Sequence, residues 1–290
     1  MQSSKAYGLG AVTAVVVDFH SGDDVRACCA SLLSEGCDVV VVDNAPVGTS
    51  AAILGDLVAS VTLIETGVNL GFGGGVNRGV AAASTPYVLV CNPDLVVHDG
   101  AVAALVDALE QERDWALVGP KILDMSGETY PSVRRFPSLA DAAGHALLAP
   151  LWPKNPFTAR YRSGYATKPR WGVDWISGAC FLIRREAFEA LGGFDEGFFM
   201  FAEDLDLCFR AHGLGFGIGY TATAVVTHVE GVSRRRQPYK MLVAHHRSAI
   251  RFQAKHATGL KRLLLPVAAL VLAIRFSIAV GTEFRARASE

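Results

Sequence analysis

The chain has 290 residues, 51% of them hydrophobic, and a formal net charge of -1 at pH 7. That length buries a large core in one domain or in one and a half, and the near-neutral balance excludes nucleic-acid binding through bulk charge. Cys28, Cys29, Cys37, Cys91, Cys180 and Cys208 form no C-x-x-C pair and no metal-ligand spacing, so buried reduced thiols of a cytosolic protein are expected. No charged-then-apolar pattern precedes the first apolar run, so no secretion signal is expected.

In chain order, Ala11 to Val17 is an apolar, β-branched run that ends in Asp18-Phe19-His20-Ser21. Asp23 to Leu33 follows with Val25, Cys28, Cys29 and Leu32 at helical spacing. Asp38 to Val42 reads as a second strand closed by Asp43-Asn44, Ser50 to Val58 as a helical stretch, and Val61 to Glu65 as a third strand. Strands alternating with helices predict parallel βαβ units with right-handed crossovers, hence an α/β fold that opens with a Rossmann-like nucleotide-binding layer. From Gly67 to Gly79 glycines crowd the approach to a helix expected over Val76 to Ala83. Such a backbone suits close approach to a phosphate or ribose. A dinucleotide fingerprint does not fit, because counting from Gly71 it demands glycine where Val76 stands, and the stretch follows the third strand instead of the first.

Tyr87 to Cys91 has the character of a strand buried on both faces, which leaves Asn92-Pro93-Asp94 at its carboxyl end. Ligands of open α/β sheets bind at that end, and a carboxylate there can hold a divalent cation against a phosphate. Asp94 is therefore the first candidate site residue. Taken alone, the tripeptide reads more simply as a turn that caps the helix starting near Asp99.

Gly100 to Glu112 is a predicted helix with Val102, Leu105, Val106 and Leu109 on one face, and Trp115 to Val118 is another strand. Periodicity then weakens from Asp124 to Arg170, a region with six prolines between Pro131 and Pro169 and with Arg134, Arg135, Arg160, Arg162 and Lys168. It reads as a substrate lid or acceptor loop. Asp174 to Ala179 leads into a strand at Cys180 to Ile183, and a helix over Arg185 to Leu191 ends at Gly192-Gly193, as a glycine C-cap requires. A helix beginning near Ala202 turns Leu205, Leu207, Cys208 and Phe209 mostly inward and carries Glu203 and Asp204 on its first turn. Asp206 and Arg210 have the spacing of a simple helical ion pair. Ile218 to Tyr220 and Ala224 to Thr227 are predicted strands, the second ending at His228, a residue that is either structural or available to a metal or phosphate.

Val41-Val42-Asp43-Asn44, Asn69-Leu70-Gly71-Phe72-Gly73, Asn92-Pro93-Asp94, Trp175-Ile176-Ser177-Gly178-Ala179 and Phe198 to Arg210 occur together and in that order. Jointly they resemble glycosyltransferase family 2, the inverting nucleotide-sugar transferases of GT-A fold, and within it the rhamnosyltransferase-like branch. Met241 to His256 is similar to the corresponding segment of actinobacterial members that add rhamnose to N-acetylglucosaminyl-diphospho-polyprenol. The resemblance implies a GT-A catalytic domain over residues 1–230 with a mixed central sheet. Residues 1–120 would be its nucleotide-binding half and 121–230 its acceptor-binding half, followed by a basic, amphipathic helical tail, 231–290. It assigns Asp204 as catalytic base with Glu203 in support, and Asp18 and Asp43 to the nucleoside. Asn69, Gly71, Arg78, Asn92, Trp175, Ser177 and Gly178 line the nucleotide-sugar site. Asp94, with His228, would ligate Mg2+ or Mn2+; the family's first metal acid is Asn92 here.

The chemistry needs these residue types. A departing nucleoside diphosphate is stabilised by a cation or arginines, one carboxylate deprotonates the acceptor hydroxyl, and a single in-line displacement inverts the sugar. The expected partners are a nucleotide-sugar donor such as dTDP-rhamnose and a polyprenyl-diphosphate-linked acceptor. From Arg234 to Arg287 basic residues far outnumber the single acid Glu283, and Leu263 to Gly281 is apolar but for Arg275 and Ser277. An interfacial helix on the cytoplasmic face of the cell membrane is expected. Packing of this segment on the domain or in a homodimer is the alternative. Rival functions are a catalytically silent sugar-nucleotide or lipid-binding subunit and a family 2 transferase with another donor. A nucleotidyltransferase fits less well, because no glycine-rich, lysine-bearing loop follows the first strand.

Overall fold

The computed structural model describes residues 10–136, 139–149, 152–162, 170–229 and 238–288. Lys168 and Arg234 to Arg236, singled out above, lie outside them. The chain opens with β1 (Val12–Asp18), buried at every position, then α1 (Asp23–Ser34), β2 (Asp38–Asp43), α2 (Thr49–Leu54), β3 (Thr62–Glu65), α3 (Gly71–Val80) and β4 (Tyr87–Cys91). Strands β3, β2, β1 and β4 lie side by side and parallel, as the βαβ pattern requires. The helix expected over Ser50 to Val58 stops at Leu54 and continues as a tighter turn, because Gly55 takes a φ of 58°.

The glycine stretch is itself helix. A Cβ at Gly79 would stand 2.3 Å from Val15 Cγ1, and one at Gly75 would stand 2.7 Å from Val17 Cγ1. These glycines let α3 lie against β1 more closely than any side chain permits. At Gly75 and Gly79 the close approach is that of the helix to the sheet.

The second half contributes β5 (Leu95–Val97), α4 (Ala101–Gln111), β6 (Trp115–Leu123), β7 (Val133–Arg134), α5 (Leu139–Leu148), α6 (Pro156–Arg162), β8 (Arg170–Gly172), β9 (Trp175–Ile176), β10 (Cys180–Arg184), α7 (Arg185–Ala190), α8 (Glu203–Gly213) and β11 (Gly217–His228). Strand β10 runs antiparallel between β4 and β6, β11 runs parallel to β6, and β5 and β8 pair antiparallel with β11. The sheet is mixed, in the order β3-β2-β1-β4-β10-β6-β11-β5, and β7 with β9 forms a separate ribbon. The carboxyl ends of β1, β2, β4 and β11 and the start of β10 therefore share one edge. Two expected strands merge into β11, whose pairing with β6 shifts register between Thr221 and Val225. The presumed lid contains two helices, packed where Gly144 admits the Phe157 ring.

Alternate strand residues feed two cores. Val12, Ala14 and Val16 join α1 and α4 on one face, whereas Val15 and Val17 join α3, α7 and α8 on the other. The predicted inward faces of α1 and α4 are buried in full. All six cysteines are buried and unpaired, with Cys91 and Cys180 directly opposite across β4 and β10 and their sulfurs 3.9 Å apart.

The tail forms α9 (Pro238–His256) and α10 (Leu265–Ala288). Among the described residues no helix is long and apolar enough to cross a membrane. Val267, Leu270 and Ile274 stand exposed on one side of α10, whereas Phe276 packs edge-on against His246 of α9.

Gly79→Ala tests the helix-to-sheet contact. Alanine's better helix propensity is worth about 1 kcal/mol, whereas forcing a methyl into a filled core costs about 1–3 kcal/mol. The clash at Val15 decides the sign, and urea denaturation should show a lower midpoint with an unchanged slope.

Candidate active site

At the end of β1, Asp18 Oδ1 accepts the Ser21 N–H at 3.0 Å and also the Ser21 hydroxyl, while Oδ2 accepts Ser50 Oγ at 2.6 Å. At the end of β2, Asp43 accepts the Ala45 N–H on one oxygen and the Ser50 N–H on the other, each at 2.8 Å. Both carboxylates are fully buried. Their charge is satisfied by these donors, and together they fold the turn from Asp43 to Ser50. Direct contact of either with a nucleoside requires that turn to open.

The next wall is the start of α3. Asn69 Oδ1 accepts the Gly71 N–H at 2.8 Å, Asn44 Nδ2 donates to the Gly71 carbonyl at 2.9 Å, and the Phe72 N–H donates to the Phe199 carbonyl at 3.1 Å. Gly71 has a φ of 76°, and a Cβ there would lie 2.2 Å from the Phe199 oxygen. Only glycine fits. Arg78 is exposed on the last turn of α3, about 10 Å along the helix from Gly71. It lies away from the strand-end edge. Asn77, which the sequence did not single out, accepts the Phe194 N–H at 2.8 Å and donates to the Phe194 carbonyl at 3.0 Å.

Asn92, Asp94 and His228 come together because His228 pairs with Leu95 across β11 and β5. His228 Nε2 is 3.0 Å from Asp94 Oδ1 and 3.4 Å from Asn92 Nδ2, and Nδ1 of the same ring is buried without a hydrogen-bond partner. The donors fit a small divalent cation: neighbouring ligands of an octahedral Mg2+ stand about 3.0 Å apart, and such ions take one or two protein ligands plus substrate phosphate oxygens. Among the described residues no group of three His, Cys, Asp or Glu is placed to hold a metal ion.

The fourth wall carries the acids. Phe201 and Ala202, immediately before α8, adopt φ values of 67° and 62°, a conformation costing a residue with a Cβ about 1–2 kcal/mol. This turn aims the start of α8 at the sheet edge. Asp204 Oδ2 accepts the Gly178 N–H and Oδ1 its neighbour Leu205's, both at 2.8 Å. Burial raises the Asp204 pKa, and the two N–H donors and the Arg134 charge oppose that rise. Glu203 is buried with Oε2 unpartnered; burial first, then the Asp204 charge, pushes its pKa up to about 8. Both carboxyls of the pair therefore hold a proton more tightly than an exposed acid does.

Gly178 approaches Asp204 closely, since a Cβ there would lie 3.2 Å from the aspartate Cβ. Ser177 donates its N–H to the Ser132 carbonyl at 2.7 Å, and Trp175 donates Nε1–H to the Arg135 carbonyl at 3.1 Å. The Arg134 guanidinium stacks 5.2 Å from the Trp175 ring centre. Arg134 was visible in the sequence only as one of several basic residues in an irregular stretch. Asp206 is fully buried and makes the expected ion pair with Arg210 at 2.8 Å, whereas Phe209, expected inside, is 39% exposed.

The model of the family described as Glycosyl transferase family 2 matches residues 13–192. N-acetylglucosaminyl-diphospho-decaprenol L-rhamnosyltransferase of Mycobacterium tuberculosis (strain ATCC 25618 / H37Rv) is 35% identical over 95% of this chain and 92% of its own. Among solved structures, mannosyltransferase PcManGT from Pyrobaculum calidifontis, in complex with GDP-Man and Mn2+, superposes with a TM-score of 0.56 at 17% identity, over 93% of this chain and 75% of its own. GalNAc-T7 with UDP, GalNAc and Mn2+ gives 0.58 at 16% identity, over 77% of this chain and 44% of its own. These two likenesses bear on architecture alone, and the expected GT-A arrangement of a mixed sheet with helices on both faces stands. A family match across more than half of the chain, and a relative that follows it almost from end to end, lead to one assignment: this chain is a glycosyltransferase and belongs to glycosyltransferase family 2.

Proposed function

We propose that the enzyme transfers L-rhamnose, with inversion, from dTDP-rhamnose to N-acetylglucosamine on a polyprenyl diphosphate at the cytoplasmic face of the cell membrane. The observation that carries this reading is the 35% identity with the mycobacterial rhamnosyltransferase across 95% of the chain, which includes the tail. The exposed apolar side of α10 and the basic tail supply the means of lying on an anionic lipid surface.

In this reading the donor lies along the strand-end edge, its nucleoside over the turn shaped by Asp18 and Asp43 and beside Asn69 and Gly71. Trp175, Ser177 and Gly178 border the sugar. Asp94 and His228, with Asn92 beside them, would hold Mg2+ or Mn2+, which supplies positive charge to the diphosphate leaving group. Asp204 takes the proton of the acceptor hydroxyl as that oxygen attacks the anomeric carbon from the face opposite the diphosphate. The two N–H donors fix the Asp204 carboxylate, and Arg134 favours its ionised form. Glu203, protonated at neutral pH, donates a hydrogen bond toward the acceptor or toward Asp204 instead of repelling it.

Asp204→Asn should lower kcat by about a hundredfold to ten-thousandfold, the usual worth of a positioned base, while donor affinity stays within about twofold; retained turnover would overturn the assignment. Glu203 binds its proton more tightly in the folded chain than in the unfolded one, so folding stability falls as pH rises from the ordinary glutamate value toward about 8. Glu203→Gln removes that loss, and its Tm advantage over the wild type should widen across this window and level off above it. Nucleoside diphosphate release from a panel of donors, with and without N-acetylglucosaminyl-diphospho-lipid, tests the substrates directly. Acceptor-dependent release from dTDP-rhamnose, abolished by EDTA, is expected. Release from another donor would sink the rhamnosyl assignment, and silence across the panel would favour a binding subunit.

A further inference from the structure

We propose that α9 is a positioning element for the reaction, and that Lys255 and Ser248 act through the Asp195 to Asp206 segment to hold the turn that presents Asp204. This rests on the reading of Asp204 as the base. The segment begins at Asp195, passes through the strained pair Phe201-Ala202 and ends at the buried Asp206 in α8.

Lys255 Nζ lies 2.7 Å from Asp195 Oδ2 and 2.7 Å from Asp206 Oδ1, so one ammonium ties the two ends of the segment together. Arg251 reinforces the first end, at 3.0 Å from Asp195 Oδ1. His256 Nε2, 2.7 Å from Asp206 Oδ1, and Arg210 Nε, 2.8 Å from Oδ2, reinforce the second. Between the ends, Ser248 Oγ donates to the Met200 carbonyl at 2.8 Å, and Arg251 and Lys255 sit 5.1 and 5.6 Å from the buried Phe198 ring.

The charges are arranged to persist. Burial works against ionisation of Asp206, yet hydrogen bonds from Lys255, Arg210 and His256 hold its carboxyl below the usual aspartate value. At Phe199 the same segment accepts the Phe72 N–H of α3. A shift of α9 is thus transmitted to the turn that carries the base. A displacement of the base by about 1 Å costs on the order of a hundredfold in rate, and Lys255 and Ser248 make their contacts with Asp195, Phe198, Met200 and Asp206 of this segment.

The test uses the full chain with the donor and lipid acceptor of the active wild type. Lys255→Met and Ser248→Ala should each lower kcat at least about tenfold, with donor KM within about twofold, and Lys255→Arg should restore most of the lost kcat. Unchanged kcat in both variants overturns the proposal. So does a fall in Tm that tracks the fall in kcat without rescue by Lys255→Arg, since that marks a merely structural role. If Lys255→Met fails to fold, Ser248→Ala decides by the same criteria. Asp204→Asn run alongside separates the two claims: retained turnover there defeats the base assignment, whereas its loss combined with normal α9 variants defeats only the positioning role.

Discussion

The insertion of β10 between β4 and β6 is the contact on which the candidate site depends. An all-parallel sheet would end with β4 at its edge or pair it with another strand of like direction. Here an antiparallel strand starts where β4 finishes, and the Asn92 N–H meets the Ala179 carbonyl at 2.8 Å. That pairing sets Gly178, the donor to Asp204, beside the Asn92-Pro93-Asp94 turn. It also carries β6, and with it β11, into the alignment that delivers His228 to Asp94. Both the proposed base and the proposed cation ligands are thus referred to one strand junction.

Around that junction, buried carboxylates are kept in different states by different neighbours. Asp18 and Asp43 receive hydroxyl and backbone donors and serve the fold of their own turns. Asp206 receives cations and ties helices together. Glu203 receives no partner on Oε2 and answers by holding its proton. Asp204, half-buried, is supported by two N–H groups. Such separation of neighbouring acids by environment is how a single site can contain both a hydrogen-bond donor and a proton acceptor.

Much of this was legible in the amino-acid order because it is local. The βαβ alternation, the faces of α1 and α4 and the limits of β4 follow from periodicities that a short window contains. The glycine stretch was found, but density of glycine reports close approach without saying of what; within the chain Val15, Val17 and Phe199 are the neighbours. The break within β11 came from a register shift that looks like a turn. The three residues of β5 are too few to declare a period. On α8 the Asp206–Arg210 pair was legible from its spacing, but the burial of Asp206 was not, because its further partners Lys255 and His256 lie about fifty residues away. A pair at that separation leaves no local trace.

The single peptide contact between Phe72 and Phe199 has a consequence for recombining this scaffold. Gly71 is compatible with the chain only while the Phe199 carbonyl occupies its place, and Asn77 grips Phe194 a few residues earlier. The helix start and the aromatic loop are therefore one module despite the long stretch of chain between them. A chimera that imports a foreign aromatic loop with its own acid pair inherits a mismatch unless residues 71–77 and 194–199 are exchanged together. Substitutions in the two segments should accordingly be inherited as matched sets.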